Sequence, residues 1–161
     1  MLGLALVLAA APAQLDWKDF WAIAGVARDD KQQAIIEKWG QPDEIKERGG
    51  VTLRYRSGPS VILREDGATQ LDFASYSAKK FIAEHPSPVL ELVDLPCHHA
   101  ARRLKFAKAV GGYTSCKQYE CSGWFLDVTL MCSNGRISTL VVVWLPVPEL
   151  KTMEPLPPDH C

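Results

Sequence analysis

The sequence predicts an α+β fold: helices packed on antiparallel β-meanders, arranged as two related helix-plus-meander units. Three observations carry this. A helical apolar pattern ends at a Gly-x-Pro stop near residue 40. Apolar/polar alternation then takes over, with hairpin signals at Asp66 with Gly67 and at Asn134 with Gly135. Finally, the order helix then meander runs twice through a chain of 161 residues.

The N-terminal residues 1–13, "MLGLALVLAAAPA", read as a signal peptide. The apolar run has the length of an h-region, and Ala11, Pro12 and Ala13 supply the small residues before a cut at Gln14. The segment lacks the Lys or Arg of a typical n-region, and no Cys follows the cut to take a lipid anchor. No later apolar run is long enough to span a bilayer.

Residues 14–85 form the first predicted unit. "LDWKDFWAIAG" reads as a short helix capped by Asp16 and closed by Gly25. "RDDKQQAIIEKWGQP" reads as a second, with Asp30 and Gln33 as a capping box, Ile35, Ile36 and Trp39 as its apolar face, and Gly40 and Pro42 as its stop. "VTLRYR", "SVILR" and "ATQLDF" then predict a three-stranded meander. "SYSAKKFIAEHPSP" is a helix halted by Pro86.

Residues 86–145 form the second unit. A helix is expected over 97–109, with Gly111 and Gly112 ending it. "YTSCKQYECS" predicts a small hairpin and "WFLDVTLMCSNGRISTLVVVW" a long one. The nearly continuous apolar run 137–144 is expected at the centre of the sheet. Residues 146–161, with five prolines, read as an extended tail.

Composition narrows the function. Apolar residues make up 47% and charged residues 23%, with a net charge of −1. No basic stripe exists to follow a phosphate backbone, so no nucleic-acid partner is expected.

The five cysteines (97, 116, 121, 132, 161) suit an oxidising compartment, periplasmic or secreted, where they form two bridges and leave one over. Cys116 with Cys121, across the four residues "KQYE", and Cys97 with Cys132, beside the Asn134 turn, are the candidate disulfides; Cys161 is an alternative partner for either. A zinc site built from Cys97, His98, His99, Cys116 and Cys121 fits the usual ligand spacing poorly, because Cys97 and His98 are adjacent. A Cys97 nucleophile served by His98 or His99 meets a similar objection, since neighbouring residues on a helix diverge by about 100°. No catalytic motif, metal site or cofactor is expected.

The chain has five Trp and four Tyr. Trp21, Trp39 and Trp144 fall at core positions. Arg54, Tyr55, Arg56, Tyr113, Tyr119 and Trp124 lie on or beside strands and are the candidate protein-binding residues, being types enriched where interfaces are strongest.

"IIEKWGQPDEIKERGGVTLRYRSGPSVILREDGATQLDF" has a helix ending in Gly-x-Pro, an aromatic strand, a hydrophobic strand and an Asp-Gly turn. This resembles the α+β unit of the SmpA/OmlA-type outer-membrane assembly lipoproteins. It is also similar to the tandem unit of the β-lactamase inhibitory protein and related secreted inhibitors and immunity-like proteins. The likeness covers residues 28–74 and, more loosely, 95–145, where "WFLDVTLMCSNGRISTLVVVW" is similar to a closing hairpin. It implies a non-catalytic protein that docks another protein, such as a secreted enzyme or toxin, through an aromatic-rich sheet face. Without a Cys after its signal, the chain favours the soluble inhibitor branch over the lipoproteins. The expectation is an exported inhibitor or immunity-type protein acting by steric occlusion. A cell-envelope assembly or adaptor protein is the alternative, and a Cys-dependent enzyme the third reading.

Overall fold

A computed structural model of the chain describes residues 14–56, 58–65, 67–104, 108–110, 113–120 and 124–146; across 108–125 the description is of backbone pairing. The expected signal segment, the tail beyond 146, Cys121, Cys161 and Asp66 lie outside the described residues.

In chain order the elements are β1 (Ala22–Ile23), β2 (Val26–Ala27), α1 (Gln32–Trp39), β3 (Glu44–Glu47), β4 (Val51–Arg54), β5 (Ser60–Arg64), β6 (Gly67–Ala74), α2 (Ser75–Glu84), α3 (Cys97–Arg103), β7 (Lys108–Val110), β8 (Tyr113–Glu120), β9 (Trp124–Ser133) and β10 (Arg136–Pro146). The fold is α+β and mostly sheet. Strands β3 to β10 form one antiparallel sheet in the order β3-β4-β5-β6-β10-β9-β8-β7. Two consecutive four-stranded meanders thus meet along β6 and β10, and the apolar β10 lies in the middle, as its composition predicts.

Several elements depart from the sequence expectation. The first helix is instead a 3-10 turn, Trp17–Phe20, followed by the hairpin β1–β2. Ala24 and Gly25 both take positive φ (50° and 83°), which a helix excludes and a two-residue hairpin turn requires. α1 forms and stops at Gly40 (φ 82°), but without the capping box: Asp30 Oδ2 accepts from the Ala27 N–H at 2.8 Å instead. The first meander gains a fourth strand, β3, which has no buried position and hence no alternation to betray it. α3 ends at Arg103, and Leu104 bridges to Leu15 in parallel, so residues 108–110 are strand rather than helix. The "KQYE" stretch is not a loop; it belongs to the continuous strand β8, which pairs along its whole length with β9.

The two sheet faces differ sharply. Leu53, Val61, Leu71, Val142 and Val128 are cross-strand neighbours in one row, and each is fully buried. The next row, Thr52, Ile62, Gln70, Val143 and Asp127, alternates to the opposite face and stays partly exposed. The buried face meets Ile35 and Trp39 of α1, Phe81 of α2, Leu90 and Leu92 of a 3-10 turn, Ala100 of α3 and the N-terminal Leu15 and Phe20, all in one core. Each large side chain so enclosed contributes roughly 1.5–3 kcal/mol. Both meanders share this core.

A disulfide, Cys97–Cys132, ties the start of α3 to β9 with Cα atoms 6.1 Å apart. The same junction is stitched by backbone bonds: Cys97 N–H donates to Gly135 O at 3.0 Å, and Ile137 N–H to Leu95 O at 2.8 Å.

Candidate functional site

Among the described side chains, the end of β4 and its turn into β5 form a surface with relief. Arg54 closes β4, Tyr55 follows, and Arg56 begins the turn. The turn is held by Tyr55 N–H donating to Pro59 O and by Gly58 N–H donating to Tyr55 O, both at 3.1 Å. Gly58 is required by packing, because a Cβ there would sit 2.8 Å from the Phe81 ring.

Tyr55 is half-buried rather than a free aromatic. Its ring lies edge-on to Trp39 at 5.9 Å, beside Phe81. Its hydroxyl donates to Gly40 O at 3.1 Å. Burial pushes the phenol up to about 12, so it stays a neutral donor at physiological pH. Tyr55 therefore anchors the turn to the end of α1, and the arginines on either side do the presenting.

Two shallow depressions flank this run. One, of about 480 Å³, is lined by Asp43, Glu44, Arg54, Tyr55 and Arg56. The other, of about 380 Å³, reaches over Ser60, Asp72, Ala74 and Thr139 onto the open sheet face. The charges are paired. Asp43 accepts from the Arg56 N–H at 2.8 Å and lies 3.6 Å from its Nε, while Glu44 is 3.7 Å from Arg54. Asp72 accepts from the Gln70 amide at 2.9 Å. From sequence, Asp43 and Glu44 read as a solvated carboxylate pair in a loop; the structure sets them against Arg56 and Arg54 instead. Asp72 was not singled out, though it is a polar position in the alternation of "ATQLDF".

The six residues expected at an interface fall into separate places. Arg54, Tyr55 and Arg56 share the β4–β5 turn. Tyr113 pairs with Met131, which pairs with Thr139, so it lies toward the same end of the sheet but on β8. At about 4.8 Å per strand, β8 is roughly 24 Å from β4. Tyr119 pairs with Phe125, and Trp124 with Glu120 and Pro146, at the opposite end of the sheet.

The cysteine and histidine candidates also separate. Cys97 is bonded to Cys132, so its sulfur is no thiolate while the bridge stands. Cys116 pairs with Val128 in mid-strand, and its proposed partner Cys121 lies outside the described residues. His98 and His99 are both exposed, their rings 4.1 Å apart and edge-on. Among the described residues no three His, Cys, Asp or Glu side chains gather as metal ligands. No helix there is long and apolar enough to cross a membrane.

Compared with family models, curated proteins and solved structures, the chain matches none.

Proposed function

We propose that this chain is an exported, non-catalytic protein-binding module that occludes a partner with the open face of its sheet, in the manner of an inhibitor or immunity-type protein. One observation supports this most: Ile62, Val141 and Val143 stand partly exposed among Thr, Gln and Asp side chains, while their alternates are sealed in the core. Met131, 47% exposed, extends that apolar area toward β8. A rigid, mixed apolar and polar face is a normal docking surface. The depression beside Ser60 and Asp72 gives it one deeper point, where Arg54 and Arg56 stand. The Cys97–Cys132 bridge fits an oxidising compartment. The succession of two four-stranded meanders in one sheet also suits a duplicated helix-plus-meander unit.

The test is retention of a partner from the native cell envelope by the tagged protein. Val141→Lys should abolish retention while leaving the melting temperature within a few degrees. Tyr119→Ala and Arg56→Ala, at opposite ends, report which end the partner covers. Retention unchanged by Val141→Lys sinks the open-face reading.

A further inference from the structure

Among the described residues β3 is the terminal strand of the sheet, and all four of its residues are exposed. Ile45, at 43% exposure, is one of two large apolar side chains exposed among the described residues.

The direction of the backbone groups on this edge follows from its neighbours. Tyr55 N–H donates to Pro59 O, so in β4 the alternate residues Leu53 and Val51 turn their polar groups toward β5. Thr52 and Arg54 therefore turn theirs toward β3, where they pair with Lys46 and Glu44. The Arg48 N–H to Gly50 O bond in the β3–β4 turn has the same parity. Glu44 and Lys46 thus satisfy their backbone groups inward. The N–H and C=O of Ile45 and Glu47 point away from the sheet.

We infer that β3 is a self-complementary edge at which two copies of this chain pair antiparallel, about a two-fold axis through Ile45. In this register Ile45 and its counterpart exchange both outward backbone hydrogen bonds, and their side chains lie together. Glu44 falls opposite Lys46 of the second copy, and symmetry makes that ion pair occur twice. Within each chain Glu44 already lies 3.2 Å from Lys46 and 3.7 Å from Arg54, so in the dimer these charges are shared with the second copy's and the alternation continues inward. Moving the register one step one way sets Glu44 opposite Glu44, which is repulsive; one step the other way sets Lys46 opposite Lys46 and, although Glu44 then meets Arg48, puts each Ile45 against Glu47 so that the apolar side chains no longer meet. Glu47 falls opposite Asp43 of the second copy. That carboxylate is already held by Arg56, whose side chain is 88% exposed and offers its cation to both acids. A four-residue edge buries much less than the ~1,200 Å² of a stable interface, so a weak, salt-sensitive dimer is expected.

The test is sedimentation of the protein over a concentration series at low salt. The wild type should rise from the 17.8 kDa of one chain toward twice that value. Lys46→Glu and Glu44→Lys each turn both ion pairs into like-charge pairs and should weaken association about tenfold or more. Mixing the two variants restores opposite charges at both positions, so the mixture should recover dimer that neither forms alone. A wild type that stays monomeric into the millimolar range overturns the proposal, as do variants that associate like the wild type or a mixture that recovers nothing. Should either variant melt abnormally, amide exchange in the wild type decides. Ile45 and Glu47 amides should gain protection with concentration; unchanged rates there overturn the proposal.

Discussion

The indole N–H of Trp144 on β10 donates to the carbonyl of Phe20 at 2.9 Å, inside the core and across 124 residues of sequence. Both side chains are fully buried. This bond fastens the N-terminal 3-10 turn to the central strand and joins the ends of the described chain. Trp144→Phe removes the donor and one ring from a packed interior, which should cost about 2–3 kcal/mol. Thermal unfolding should shift down by roughly 5–10 °C for a chain of this size. A shift near zero would mean the N-terminal turn is not held this way.

The Cys97–Cys132 bridge closes a loop with a sequence separation of 35. On the chain-entropy account such a loop is worth about 3–4 kcal/mol. The double variant Cys97→Ala, Cys132→Ala should therefore melt roughly 8–14 °C lower. Thiol labelling without reductant should miss Cys97 and reach it after reduction. Labelling of Cys97 in the untreated protein would contradict the bridge.

Asp94 sits in the left-handed region (φ 69°), with its carboxylate 3.0 Å from Arg136 Nε and 3.5 Å from Lys79 Nζ. The Arg136 hydrogen bond, with the charges of Arg136 and Lys79 behind it, holds its pKa below the usual carboxylate value. A depressed folded pKa adds stability above the unfolded value of about 3.9 and loses it as pH falls through the folded value. Asp94→Asn keeps a residue that tolerates positive φ. Its melting temperature should lie below wild type at neutral pH, and the two curves should converge below about pH 4. A gap constant over the whole pH range would refute this.

Gly67 and Gly135 both need positive φ, but only Gly67 is also crowded: a Cβ there would come within 2.8 Å of Arg28 O and the Asp29 backbone, whereas nothing lies within 4 Å at Gly135. Ala68 N–H donates to Asp30 O at 3.0 Å, so β6 starts directly against the segment before α1. Gly135→Ala should cost about 1–2 kcal/mol from backbone strain alone. Gly67→Ala should cost more, because backbone must move. Equal losses would show that the close approach is not real.

How much of this was legible in the sequence depended on whether a residue's neighbours in space are also its neighbours in the chain. The α1 stop at Gly40, the turn at Asn134 and Gly135 and the alternation of β4, β5 and β6 are local or period-two signals, and they hold. β3 was missed because an edge strand exposed on every residue leaves no apolar pattern. The β1–β2 hairpin was read as helix because Trp17, Phe20, Trp21 and Ala24 have helical spacing, while the positive φ at Ala24 has no sequence mark. The Cys97–Cys132 pairing was visible as one candidate, through the position of Cys132 beside a hairpin turn. The clustering of Asp43 with Arg56, and of Asp72 beside Ser60, required the sheet order itself.

The central claim, that the open sheet face docks another protein, is tested most directly by site-specific photo-crosslinking in the native envelope. A photo-activatable side chain replaces Val141 on the open face or, as the control, Lys80 on the helical side, whose side chain is 73% exposed. The account predicts one discrete adduct from position 141 and none from position 80. An adduct from position 80 alone, or none from 141 at any neighbouring open-face position such as Thr139, would contradict it.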